Sequence, residues 1–180
     1  MKIRHLLLVV IGLLVLAGCA SKVPSSQESD VVERLYASDP ARQLIGTELP
    51  SITFTNLVSG ENVSLDQLKG VVLINSLILG CPSCLEEIPK LNKLYDTYGD
   101  KITIVEIDIN PKDTAEQLLK VKKELQGRDF VWTISPEAGE ALQMPGPDVT
   151  YIAKNGKIVY ADSMVVPIGR LERFIEEALK

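Results

Sequence analysis

Cys81-Pro82-Ser83-Cys84 stands between a nearly unbroken apolar run, Val71 to Leu79, and an amphipathic segment that begins at Leu85. Strand, C-x-x-C, helix is the order a working dithiol needs. A thiol at a helix N-terminus meets unsatisfied backbone N–H groups and the positive end of the helix dipole, and both favour the thiolate. Two intervening residues let the first helical turn bring the second sulfur beside the first. One can then attack a disulfide while the other resolves the mixed intermediate. Pro82 suits the first helical position, where a missing N–H costs nothing.

The same spacing also suits two inert buried thiols or half of a metal site. A zinc site takes about four ligands, and the other cysteine and the sole histidine, Cys19 and His5, both fall in an N-terminal export segment. Carboxylates would have to complete a closed zinc site. Two-coordinate Cu(I), or zinc shared across a dimer, stays open. Leu85 follows Cys84, so the C-x-x-C-H haem-attachment pattern is absent.

The N-terminus supplies the second strong signal. Lys2, Arg4 and His5 precede an apolar stretch, Leu6 to Leu16, that is short for a membrane span. It ends in Leu16-Ala17-Gly18-Cys19, which resembles a bacterial lipobox. The resemblance implies cleavage of residues 1–18 and lipidation of Cys19. An ordinary cleaved signal or an uncleaved anchor would export the domain equally. With Cys19 lipidated, Cys81 and Cys84 are the remaining thiols, in a setting that favours disulfides. Residues 19–180 keep all 24 acidic side chains but lose Lys2 and Arg4 from the 19 basic ones, which leaves a formal charge of about −7. That balance argues against a nucleic-acid partner.

Along the chain, Ala20 to Ser29 is small and polar and reads as a tether. Asp30 to Ala37 reads as a short helix, and the folded domain is expected from about Gly46 to the C-terminus, residues 46–180. Ile52 to Phe54 and Val63 to Leu65 form a hairpin around Ser59-Gly60, with Ser64 capping a turn to Leu68. Val71 to Leu79 predicts a strand buried on both faces. The next helix carries Leu85, Ile88, Leu91, Leu94 and Tyr95 inward, with Pro89 kinking it. Ile102 to Ile109 is a strand. Asp113 and Glu116 predict a capped helix with Leu118, Leu119 and Leu125 inward and Gly127 at its C-terminal turn. Phe130 to Ile134 is a short strand, and Glu137 to Gln143 a short helix. Val149 to Ala153 and Lys157 to Tyr160 pair across Asn155-Gly156. The last helix, Ile168 to Leu179, turns Ile168, Leu171, Ile175, Ala178 and Leu179 inward. The order predicts an α/β fold: a central mixed sheet flanked by helices, with an added N-terminal β-hairpin.

The stretch Ile74-Asn75-Ser76-Leu77-Ile78-Leu79-Gly80-Cys81-Pro82-Ser83-Cys84-Leu85-Glu86-Glu87-Ile88-Pro89 resembles the active-site segment of the thioredoxin superfamily. It is most similar to the TlpA/ResA-like branch, membrane-tethered thiol–disulfide oxidoreductases that reduce disulfides outside the cytoplasm. Ser64 to Gly70 is similar to that branch's lead-in. Pro147-Asp148-Val149-Thr150-Tyr151-Ile152, followed by Asn155-Gly156-Lys157, is similar to its cis-proline segment and final hairpin.

The resemblance implies a thioredoxin-like fold with Cys81 as nucleophile, Cys84 as resolving thiol and Pro147 as a cis-proline facing them. Asn75 stands where thioredoxin has a buried acid. Glu87 matches a glutamate that exchanges a proton with the second thiol or tunes the pair; a solvated helix-surface glutamate is the plainer alternative. Gly80 replaces the usual tryptophan, Ser76-Leu77 an aromatic pair, and Gly146 the usual β-branched residue before the proline. The implied protein is lipid-anchored and extracytoplasmic. It takes electrons from a membrane thiol–disulfide donor, reduces disulfide-bearing clients, with cytochrome c maturation one family role, and needs no cofactor. Two rivals remain at this point: a peroxiredoxin-like peroxidase, whose Pro-x-x-x-Thr/Ser-x-x-Cys pattern fails at Ile78, and a non-enzymatic Cu(I)- or client-binding module.

Overall fold

The computed structural model describes residues 38–180. The lipobox, Cys19, the tether and the helix expected at Asp30 to Ala37 lie outside the described residues. A two-stranded antiparallel hairpin, β1 (Thr53–Thr55) and β2 (Asn62–Ser64), precedes the main sheet. The main elements then follow as β3 (Val71–Leu77), α1 (Pro82–Tyr98), β4 (Ile102–Asp108), α2 (Ala115–Glu124), β5 (Val131–Ile134), α3 (Pro136–Ala141), β6 (Thr150–Lys154), β7 (Lys157–Asp162) and α4 (Ile168–Ala178). Strand order is β5-β4-β3-β6-β7; β4 runs parallel to β3 and β5 to β4, whereas β6 runs antiparallel to β3 and β7 antiparallel to β6. This is the mixed sheet with an added hairpin that the sequence predicts.

β3 is central, and every one of its residues is buried. Its side chains alternate between two cores, as strand geometry requires. Leu73 and Leu77 meet Cys84, Ile88 and Leu91 of α1 and Leu171 and Ile175 of α4. Val72 and Ile74 join Val105, Ile107, Ala138 and Tyr151 on the opposite face. Asn75 shares the parity of Leu73 and Leu77, so it faces α1.

Packing begins upstream of the Gly46 boundary. Asp39 caps a short 3-10 turn, Pro40–Leu44, through Ala41 N–H at 2.9 Å and accepts from Ser163 N–H and Oγ at 2.9 and 2.7 Å. Gly46 N–H donates to Ile158 and Leu49 N–H to Gly156, so this segment runs beside β7 and covers its edge. Ser64 turns its hydroxyl to Asp66, 2.6 Å away, instead of capping the backbone.

Helix α1 is continuous through Pro89. Helix α2 is capped by Thr114 and Gln117, not by Asp113 and Glu116: Asp113 is engaged elsewhere, and the Thr-x-x-Gln capping box satisfies both free N–H groups one residue later. Leu119 is 36% exposed and Leu179 39% exposed, so neither joins the core. Leu119 falls outside the inward stripe of α2, which turns Leu118 inward; Leu179 is the C-cap of α4, beyond its last helical residue, after Leu171, Ile175 and Ala178 have turned inward.

The left-handed residue after α2 is Gln126, at φ 53°, rather than Gly127. Gly127 is required for space. A Cβ there would stand 2.6 Å from Trp132 Cζ2 and 3.0 Å from Lys122 Cγ. Trp132 is fully buried and its indole N–H donates to Arg128 O at 2.9 Å, so it cannot yield easily. Gly127→Ala is expected to lower stability by about 1–3 kcal/mol through overpacking, measured by urea unfolding. An unchanged midpoint would show that the indole can move aside.

Candidate active site

The loop between β3 and α1 presents the dithiol. Gly80 lies at φ +83°, a conformation that strains any residue with a Cβ, which accounts for glycine where the resemblance implies tryptophan. Leu79 N–H donates to Asp113 Oδ2 at 2.9 Å and pins the loop to the segment after β4. Cys81 is the N-cap of α1, and its Sγ accepts from Cys84 N–H at 3.3 Å. Pro82 takes the first helical turn, as expected.

Cys81 and Cys84 are joined as a disulfide. Cys81 is half-buried, whereas Cys84 is 0% exposed and belongs to the core beneath α1. A client sulfur approaching from solvent therefore meets Cys81 first.

Two side chains that the sequence did not single out stand against Cys81. Ser83 Oγ lies 3.2 Å from Cys81 Sγ and donates to Asp148 Oδ2 at 2.6 Å. The same Asp148 oxygen is 4.0 Å from Cys81 Sγ. The two sulfurs and an Asp148 oxygen lie within 4.8 Å of one another, so the reduced pair could offer a soft cation two thiolates and a carboxylate.

Pro147 does lie in the loop beside the dithiol, next to Asp148, but its peptide bond is trans. No cis peptide occurs among the described residues, which corrects the cis-proline expectation. The trans form is the intrinsically preferred one, by about 0.5–1 kcal/mol. The chain changes direction at Asp148 instead, at φ 62°. Ser76 fastens this loop to β3. Its Oγ donates to Gly146 O at 3.2 Å and accepts from Val149 N–H at 3.0 Å, while its carbonyl accepts from Asp148 N–H at 3.0 Å. Serine where an aromatic residue is usual thus becomes a stitch between the two halves of the site.

Glu87 is 1% exposed and faces inward, one turn beyond Cys84. The solvated-surface alternative is therefore incorrect: spacing from Cys84 and Ile88 puts Glu87 on the buried stripe. Burial pushes its carboxyl above the usual range, and the negative charges of Asp148 and Glu86 add to this. The Lys90 ammonium, 2.6 Å from Oε1, opposes it. Oε2 is buried without a hydrogen-bond partner.

A second carboxyl lies deeper. Glu106 of β4 is 0% exposed and pairs in register with Asn75. Asn75 Nδ2 donates to both its oxygens, at 3.1 and 3.3 Å, and Asn75 Oδ1 accepts from Thr150 Oγ1 at 2.8 Å. Burial holds Glu106 well above the normal range; the Asn75 bond opposes this, and Glu87, Asp108 and Asp148 reinforce it. Asp108, two residues on, is pushed up to about 7 by burial, against the pull of the Asn110 N–H and with the Asp113 carboxylate adding to the rise. A hint of both was present in the sequence: Glu106 and Asp108 share the strand parity of Ile102 and Ile104, where a buried strand should carry apolar residues.

Among the described residues no helix is long and apolar enough to cross a membrane. The family model described as Redoxin matches residues 44–175. A protein named thiol-disulfide oxidoreductase ResA from Bacillus cereus is 29% identical over 166 residues, covering 88% of each chain. Among solved structures, a putative thiol:disulfide interchange protein DsbE from Chlorobium tepidum superposes with a TM-score of 0.67 at 19% identity, covering 76% of this chain and 98% of its own. The thioredoxin domain of a thiol-disulfide oxidoreductase from Bacteroides vulgatus superposes with a TM-score of 0.62 at 25% identity, covering 73% of this chain and 97% of its own.

Proposed function

The chain belongs to the Redoxin family, and from that premise we propose that it is an extracytoplasmic, membrane-tethered thiol–disulfide oxidoreductase that works as a reductant of disulfide-bearing clients. Cys81 attacks a client disulfide, and Cys84 resolves the mixed disulfide. Glu87, buried beside Cys84, exchanges the proton of the resolving thiol. The backbone around Pro147 lines the approach to Cys81 and pairs with an extended client. Residues 1–18 serve as the export signal, Cys19 carries the lipid, and a membrane thiol–disulfide donor returns electrons to the pair. Maturation of cytochrome c is one client pathway that fits this chemistry.

The observation that carries the reading is the accessible Cys81 at the N-terminus of α1, bonded to a buried Cys84. The direction follows from the charges around the pair. An oxidant of this type stabilises its reduced, thiolate-bearing form. Here a carboxyl, Asp148, stands 4.0 Å from Cys81 Sγ, a second, Glu87, is buried one turn beyond Cys84 on the same helix, and the ammonium of Lys90 is engaged by Glu87. Carboxylates disfavour a neighbouring thiolate and so favour the disulfide.

The test is the equilibrium reduction potential of the Cys81–Cys84 pair in the full chain in detergent, titrated against dithiothreitol and glutathione. A reversible two-electron couple at or below roughly −270 mV is expected. A value near roughly −120 mV would reverse the assigned direction. Absence of a reversible couple would exclude the redox role and turn attention to soft-metal binding by the two sulfurs and Asp148.

A further inference from the structure

Beyond the two cysteines, the geometry points to a proton relay, Cys81–Ser83–Asp148, in which Asp148 is the general base that activates the attacking thiol. The inference rests on the reading of Cys81 as nucleophile. Three distances, all in the disulfide form, carry it: Cys81 Sγ to Ser83 Oγ is 3.2 Å, Ser83 Oγ to Asp148 Oδ2 is 2.6 Å, and Asp148 Oδ2 to Cys81 Sγ is 4.0 Å; the relay acts once reduction of the pair gives Cys81 its proton. The direct path is long for proton transfer, and the path through the hydroxyl is within hydrogen-bond reach at both steps. A serine hydroxyl has one proton and two lone pairs. Spending its proton on Asp148 leaves a lone pair turned to Cys81, ready to accept from a thiol.

The Asp148 carboxylate has no cation beside it among the described residues. Its Oδ1 is buried without a partner, so the side chain forms no ion pair through that oxygen. It is held by the backbone: Asp148 N–H donates to Ser76 O at 3.0 Å, and φ of 62° turns the residue toward α1. The anion also makes a standing thiolate at Cys81 costly. The N-terminus of α1 and the Cys84 N–H pull the other way; where Cys81 carries its proton, a base acting through a relay removes it during attack.

The Cys81 S–H proton passes to Ser83 Oγ while the Ser83 O–H proton passes to Asp148 Oδ2. The sulfur lone pair forms a bond to one client sulfur. The client S–S bond breaks, and its electron pair leaves on the second client sulfur. Asp148 returns its proton through Ser83 to solvent or to that leaving thiolate. Cys84 then passes its proton to Glu87 and attacks Cys81 Sγ; the Cys81–client S–S bond breaks, its electron pair leaves on the first client sulfur, and that thiolate takes up a proton from Glu87 or solvent. The client ends as a dithiol and Cys81–Cys84 as a disulfide.

The test uses the reduced full chain and iodoacetamide, at a pH where the thiols are mainly protonated, with the alkylated cysteine identified by mass spectrometry. Alkylation displaces iodide and requires the same loss of the Cys81 proton. Asp148→Asn retains size and suits a left-handed φ, and Ser83→Ala removes only the hydroxyl. Each variant is expected to slow alkylation of Cys81 at least about tenfold. The double variant should be no slower than either single one, because both break the same relay. The rate in wild type should fall in D2O, and that fall should vanish in both variants; Ser83→Thr should restore it. If Asp148→Asn accelerates alkylation while Ser83→Ala leaves it unchanged, Asp148 acts only as a repelling charge and the relay is wrong. Unchanged rates in both variants would overturn it as well. Alkylation at Cys84 in place of Cys81 would instead overturn the nucleophile assignment, and the relay with it.

Discussion

Cys81→Ser is expected to abolish thiol–disulfide exchange by this protein, and Cys84→Ser to stall it as a covalent adduct with a disulfide-bearing peptide. The asymmetry follows from burial. Cys81 caps α1 at the surface, while Cys84 is sealed in the core with Ile88 and Leu91. A client sulfur can reach only the first. A serine hydroxyl at position 81 has no nearby base strong enough to make an alkoxide, so turnover should fall by at least about 10³-fold. With Cys84 replaced, the first attack proceeds at its normal rate and the mixed disulfide has no partner to resolve it. The check is non-reducing electrophoresis and mass spectrometry after mixing each reduced variant with a disulfide-containing peptide. A stable Cys81–peptide adduct is expected from Cys84→Ser and none from Cys81→Ser. Trapping through Cys84 in the Cys81→Ser protein would show that the helix start opens enough to expose the inner sulfur.

The parts of this molecule that follow a period or a local rule could be read from the chain. The nearly unbroken apolar run of β3, the Asn155-Gly156 hairpin and the Cys-Pro-Ser-Cys helix start each carry their geometry within a few residues. The parts that failed depend on partners distant in sequence. Asp113 has the makings of a helix cap, but the loop before Cys81 needs an acceptor for Leu79 N–H, and Thr114 takes over the cap. Gly127 fits a helix end by composition and is instead fixed by the Trp132 ring. Ser83 and Asp148 are 65 residues apart, and only the seating of the Pro147 loop on Ser76 brings them to the same sulfur. Glu106 and Asp108 broke the apolar pattern of β4 in plain view. Reading that as a site required knowing that Asn75 stands opposite Glu106 in register.

Those same buried carboxyls are expected to make the protein lose stability as pH rises across the neutral range, opposite to the trend set by ion-paired surface acids. The sign follows from proton binding. Asp108 is pushed from 3.8 to about 7 in the folded chain, so between these values the folded state holds a proton that the unfolded state has released. Stability from this group is complete below the unfolded value and is lost as pH climbs through the folded one. At about 1.4 kcal/mol per unit, passage from pH 5 to pH 8 should remove roughly 3 kcal/mol. Glu106 and Glu87, also raised chiefly by burial, act in the same direction. Urea unfolding with the disulfide intact, at pH 5 and at pH 8, measures the loss. Asp108→Asn keeps an oxygen to accept the Asn110 N–H, 3.0 Å away in the native protein, but cannot titrate. Its stability should therefore vary much less over the same interval. A wild-type protein that gains stability from pH 5 to pH 8, or an Asp108→Asn variant with an undiminished pH slope, would mean that Asp108 is already ionised in the folded chain at pH 5. The functional consequence would then change too, because Asp113, which adds to the rise at Asp108, holds the Leu79 N–H at the entrance to the dithiol loop. Proton release from Asp108 near neutrality would place a second full charge beside Asp113, so stability and the seating of Cys81 should respond over the same pH interval.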